Sequence, residues 1–171
     1  MGKLGNYVAA AGLATAIMVI AGLGQASARD VVQVDGGFQA GTIVVKTSER
    51  RLYYVIGGGQ AIRYPVAVGM PGKEWSGQTH VARKEVNPVW QPPEEVRRDK
   101  PTLPYLVPPG PSNPLGPRAM VLAHGQYAIH GTNKRESIGT RASYGCIRMY
   151  NEDVVDLFDH VGGGTPVVVL R

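Results

Sequence analysis

The chain has 171 residues, with 18 Lys and Arg against 13 Asp and Glu and a formal net charge of +5, which is enough for one domain with a sizeable core and requires no second. The basic residues, among them Arg50, Lys73, Arg97, Arg118 and Arg148, are scattered without an aromatic-interleaved stripe; this excludes a dedicated nucleic-acid binder and leaves a mild attraction to an anionic cell envelope. The single cysteine, Cys146, excludes a disulfide framework within the chain.

In chain order, the first predicted element is a leader. Lys3 provides a weakly basic start, Tyr7 to Leu23 carries no charge, and Ala26-Ser27-Ala28 follows. That order is the secretory signal pattern, with cleavage expected after Ala28. Residues 1–28 are therefore read as a signal peptide, 29–40 as a linker and 41–171 as one folded domain. The protein is expected in the periplasm or cell envelope, with no membrane span retained after cleavage.

Strand signals begin at Gly41. Alternating β-branched and aromatic runs predict antiparallel strands near 42–46, 51–56 and 60–68, separated by Thr47-Ser48-Glu49 and Gly57-Gly58-Gly59. The triple glycine lacks the G-K-[ST] ending and the following helix of a phosphate loop. Residues 86–117 carry ten of the chain's 13 prolines, a density that interrupts regular strands and helices. A long proline-stiffened segment inside a compact domain is expected to form a shaped wall beside a functional site.

Strands resume at 118–123 and 126–130, with His124-Gly125 as the turn. The sequence NEDVVDLFDHV predicts a helix over 151–161, with Val154, Val155, Phe158 and Val161 on its apolar face. Asn151 is its expected N-cap, and Glu152 and Asp153 suit its first turn. Gly162-Gly163-Gly164 ends the helix, and a last strand follows in TPVVVL. The class is mostly β with one or two short helices.

The chemistry-bearing residues gather late in the chain. His130 ends an apolar strand and is followed by Gly131; Cys146 follows Gly145 and precedes Arg148. A thiol attacks efficiently only when a base or a positive charge favours its thiolate. His130 is the candidate base and Arg148 the candidate charge. A glycine turn can also aim the backbone N–H groups of Tyr144, Gly145 and Cys146 at one point, as an oxyanion hole requires. On spacing alone, a buried structural cysteine fits as well. His80, His124 and His160 have no acidic or cysteine partner at ligand spacing, so no metal or other cofactor is expected. Trp75 and Trp90 suit either groove wall or packing.

The segments IHGTN, SIG, SYGCIRMYNEDV and GTPVVVL, with GTIVVKTSERRLYYV, RYPVAVG, NPVWQPP and NPLGPRAM upstream in the same order, resemble the L,D-transpeptidase catalytic domain, or YkuD domain. The resemblance spans about residues 41–171 and implies a β-sandwich or barrel. It implies that Cys146 is the nucleophile and His130 the general base, with the Gly131 carbonyl orienting the imidazole. Gly145 would belong to the oxyanion turn, Ser143 would support it, and Arg148 would shape the pocket and hold a substrate carboxylate. Many members carry histidine where this chain has Tyr144, so no essential base is expected there.

The implied donor is a peptidoglycan stem tetrapeptide, cleaved between its third residue, meso-diaminopimelate, and D-alanine. The acceptor is an amine of a second stem peptide or of an outer-membrane protein, and acylation by carbapenems is implied too. The alternatives are an L,D-carboxypeptidase of the same fold and a non-catalytic envelope-binding module.

Overall fold

The computed structural model describes Gly2 and residues 29–171; the predicted signal peptide lies outside the described residues except for Gly2. The described residues form ten strands: β1 Asp30–Gln33, β2 Ile43–Lys46, β3 Arg51–Gly57, β4 Gln60–Gly69, β5 Gly77–Val86, β6 Arg118–Leu122, β7 Ala128–His130, β8 Arg141–Ser143, β9 Ile147–Met149 and β10 Pro166–Leu170. Two α-helices, α1 Glu94–Asp99 and α2 Asn151–His160, join them, with one 3-10 turn at Arg135–Ser137.

The strands run in the order β1-β4-β3-β2-β10-β5-β6-β7-β9, and β9 also pairs with β4, which closes the sheet into a barrel. The length of β4 makes closure feasible: its first part lies against β3, while Val66 and Ala67 face Met149 and Arg148 of β9. Closure removes most of the unpaired edges that a sheet must otherwise protect. β7 and β9 run parallel, with His130 level with Arg148.

Inside the barrel, Ile43, Leu52, Tyr64, Val66, Met120, Ile129, Ile147 and Met149 are almost completely buried. Helix α2 presses Val154, Leu157 and Phe158 into the same cluster, each such burial being worth about 1.5–3 kcal/mol. Leu157 takes the core position expected for Val155, which is half-buried. Tyr64, fully buried, donates its hydroxyl to Asp156 Oδ2 at 2.6 Å. Lys84 reaches across from β5 to donate to the Phe158 and Val161 carbonyls, each at 2.6 Å, so a cation satisfies the helix's C-terminal end.

Four local expectations change. The 29–40 stretch is not bare linker, because β1 pairs residue for residue with the start of β4. No strand signal marks β5 in the sequence, because its residues are largely exposed; its state is imposed by pairing, of residues 77–80 with β10 and of residues 81–86 with β6. Prolines do not exclude a helix from 86–117: the proline-free run EEVRRD forms α1 directly after Pro93, where a missing N–H costs nothing. Asn151 is the first helical residue of α2 and Tyr150 the N-cap; the Asn151 side chain instead accepts the Thr132 N–H at 2.8 Å.

Candidate active site

Three strands assemble the site. His130 ends β7, Cys146 immediately precedes β9, which carries Arg148, and Ser143 ends β8 with Tyr144 next to it. All five line one cavity of about 410 Å³. Its other wall is the proline-rich segment, through Trp90, Val96, Leu103, Val107 and Leu115. The expected wall beside the site is therefore present. Gly131 and Gly145 lie behind the lining and shape it.

The turn at Cys146 is tightly determined. Ser143 Oγ accepts the Gly145 N–H at 3.1 Å and donates to the Cys146 carbonyl at 2.6 Å. Trp75 Nε1 donates to the Gly145 carbonyl at 2.9 Å, and its ring stacks on Tyr127 with centroids 5.0 Å apart and planes 7° from parallel. Gly145 has φ +110°, and a Cβ there would lie 2.4 Å from the Tyr127 ring; backbone conformation and space both require glycine. The Gly145 N–H, expected to face an oxyanion, is thus spent on Ser143. The flanking N–H groups of Tyr144 and Cys146 have no acceptor among the described residues.

His130 is buried, and its Nδ1 lies 2.6 Å from the Gly131 carbonyl. Because a carbonyl only accepts, Nδ1 carries the proton and Nε2 is the basic nitrogen. Position 131 packs directly against Asn151, where a Cβ would meet Asn151 Oδ1 at 2.4 Å, so only glycine fits there. Burial, with the nearby Arg148 guanidinium, pushes the His130 imidazole down to about 4, against the opposing pull of the Gly131 and Pro114 carbonyls. Imidazole at neutral pH is therefore uncharged, with Nε2 unprotonated.

Cys146 rests as a thiol. Burial raises the thiol above its ordinary value, and a backbone contact from Ala128 and the charge of Arg148 only partly oppose this. Sγ is 4.0 Å from the Gln126 carbonyl, too far to hold the proton firmly. Neutral thiol and neutral imidazole are the resting pair. Arg148 is half-buried and has no carboxylate or hydrogen-bond partner among the described residues. A cation in that state is poised for an anion that arrives with a ligand.

Tyr144 turns its hydroxyl outward to donate to Asp99 Oδ2 of α1 at 2.9 Å, and Lys73 pairs with Glu95 nearby. These two ties hold the wall over the cavity. On their far side Cys146 faces a second opening of about 420 Å³, lined by Lys73, Glu95, Gln126 and Tyr127. Trp75, Tyr127, Asn113 and Asn151 are the supporting residues that sequence reading missed or left undecided. Trp75 carried an aromatic signal without direction, and an asparagine that serves remote backbone carries none.

A sequence model described as the L,D-transpeptidase catalytic domain, YkuD, matches residues 40–169. The chain is 44% identical over 137 residues to the probable L,D-transpeptidase ErfK/SrfK of Salmonella typhimurium, covering 75% of this chain and 43% of that one. It is 42% identical over 134 residues to the probable L,D-transpeptidase YbiS of Escherichia coli, covering 73% and 43%. The chain thus spans less than half the length of these relatives.

Among solved structures, the catalytic domain of an E. faecium L,D-transpeptidase acylated by ertapenem superposes with a TM-score of 0.60 at 22% identity, over 79% of this chain and all of that one. L,D-transpeptidase 3 of Mycobacterium tuberculosis gives 0.60 at 17% identity, over 76% and 60%; both likenesses concern the fold. By the extent of the sequence match, the chain belongs to the YkuD family of L,D-transpeptidase catalytic domains.

Proposed function

We propose that the protein is a peptidoglycan L,D-transpeptidase of the bacterial periplasm, a cysteine acyltransferase exported by its N-terminal leader. The observation that carries the reading is the placement on one walled cavity of Cys146, His130 and an Arg148 without a partner among the described residues. Arg148 holds a carboxylate of the donor stem tetrapeptide, with the carbonyl of its third residue against Sγ. His130 Nε2 takes the thiol proton as Sγ adds to that carbonyl carbon. This concerted transfer suits a neutral pair better than a preformed ion pair does.

The Tyr144 and Cys146 N–H groups stabilise the oxyanion, a contribution typically of about 3–4 kcal/mol per donor. The C–N bond to D-alanine then breaks, and the leaving amine receives its proton from His130. A thioester on Cys146 remains and conserves the acyl group without any nucleotide or metal. The acceptor amine enters by the second opening, gives a proton to His130 and displaces the thiol, which is reprotonated. A cysteine reached from both sides of a wall supports sequential use by two substrates. An amine of another stem peptide yields a crosslink; an outer-membrane protein amine yields an anchored envelope.

Incubation with purified disaccharide tetrapeptide is the test. Release of D-alanine together with crosslinked dimers between two third residues supports the reading. Tripeptide alone, at any acceptor concentration, replaces it with the carboxypeptidase; an intact donor overturns it.

A further inference from the structure

We infer that Lys100 and Lys134 are specificity-determining residues that select a donor peptide carrying a second free carboxylate beside the one held by Arg148. The inference deepens the donor reading above and rests on it. The cavity that contains Cys146 is lined by three cations, Arg148, Lys100 and Lys134, and by no aspartate or glutamate. Arg148 is half-buried near the nucleophile, whereas Lys100 and Lys134 are exposed at the rim.

Neither lysine makes an ion pair among the described residues. Asp99, next to Lys100 in sequence, accepts the Tyr144 hydroxyl. Lys73, Arg135 and Arg141 nearby are paired with Glu95, Glu152 and Glu74, whereas Arg97 and Arg98 of α1, like Lys100, make no ion pair among the described residues. The lining itself thus carries three cations and no anion.

Otherwise its lining is mainly apolar, from Trp90, Val96, Leu103 and Val107, and a low-dielectric wall strengthens the field of cations beside it. The two lysines reach the lining from separate segments: Lys100 follows α1 in the proline-rich wall, and Lys134 follows the His130-Gly131-Thr132-Asn133 segment. A peptide in the cavity meets these two cations in addition to Arg148. In the proposed donor the free carboxylates near the cleaved bond are those of the terminal D-alanine and of the diaminopimelate side chain. Amidation of the side-chain carboxylate removes one negative charge and leaves the scissile bond untouched.

The experiment compares two synthetic tetrapeptide donors, one with the diaminopimelate side-chain carboxylate free and one with it amidated. The wild type is expected to show kcat/KM about tenfold higher for the free acid, mainly through KM, and this preference should shrink as salt screens the rim. In the doubly substituted Lys100→Gln, Lys134→Gln protein the ratio should fall to about two or less. The Lys100→Arg, Lys134→Arg protein should retain it. A wild type indifferent to amidation overturns the inference while leaving the transpeptidase reading intact, as does an undiminished preference in the glutamine variant. A wild type that turns over neither donor overturns the underlying reading itself.

Discussion

His130 carries two burdens that pull in one direction. Burial keeps its imidazole neutral, down to about 4 from an ordinary 6.5, so between these values the unfolded chain binds more protons than the folded one. Stability is then fully present above pH 6.5 and is lost as pH falls through that window, by about 3 kcal/mol for this group. Urea unfolding of wild type and His130→Gln at pH 7 and at pH 4.5 should show a much shallower acid loss in the variant; equal losses would show that His130 is not the group responsible. Near Cys146 the sequence supplied the residue types and their order but not the hydrogen-bond bookkeeping. Nothing in SYGC shows that Ser143 Oγ consumes the Gly145 N–H, or that a tryptophan 70 positions away in sequence holds the Gly145 carbonyl. Both are long-range or side-chain choices that a local pattern cannot encode.

The element that most controls the site is the proline-rich segment. Its prolines predicted a shaped wall, because their fixed φ limits the conformations the segment can lose on ordering. What shapes it is one buried asparagine. Asn113 Nδ2 donates to the Pro88 carbonyl at 2.8 Å and approaches those of Val107 and Pro108, while its Oδ1 accepts the Leu115 N–H at 2.8 Å. Trp90 and Val107 exchange backbone hydrogen bonds of 2.9 and 2.8 Å across the same segment. Asn113→Ala leaves the buried Pro88 carbonyl without a donor and the Leu115 N–H without an acceptor, at a cost of about 1–3 kcal/mol. Urea unfolding should register that loss. Steady-state turnover, measured where both proteins are folded, should show kcat/KM reduced several-fold, since the wall then samples open positions. Unchanged turnover would mean that the wall does not position the donor.

At the scale of the whole molecule, the legible and illegible parts divide by how residues are paired. β2, β3, β4 and α2 were readable because their own patterns match their burial: Leu52 of β3 enters the barrel core while Tyr53 and Val55 pack in a cluster on its other face, and Val154, Leu157 and Phe158 enter the core from α2. β5 was not, because its strand state depends on two neighbours distant in sequence. Barrel closure through the shared strand β4 was equally hidden, since the second half of β4 gives no local sign of pairing with β9. Yet β9, shared between β7 and β4, sets His130 level with Arg148 and places Cys146 in the cavity.

Intact-mass spectrometry of the protein after brief exposure to donor tetrapeptide, with Cys146→Ala in parallel, tests the central claim most directly. The account predicts a covalent adduct on Cys146 equal to the donor less D-alanine, absent from the variant and discharged by an acceptor amine. Donor consumption without any adduct, or an equal adduct on Cys146→Ala, would contradict it.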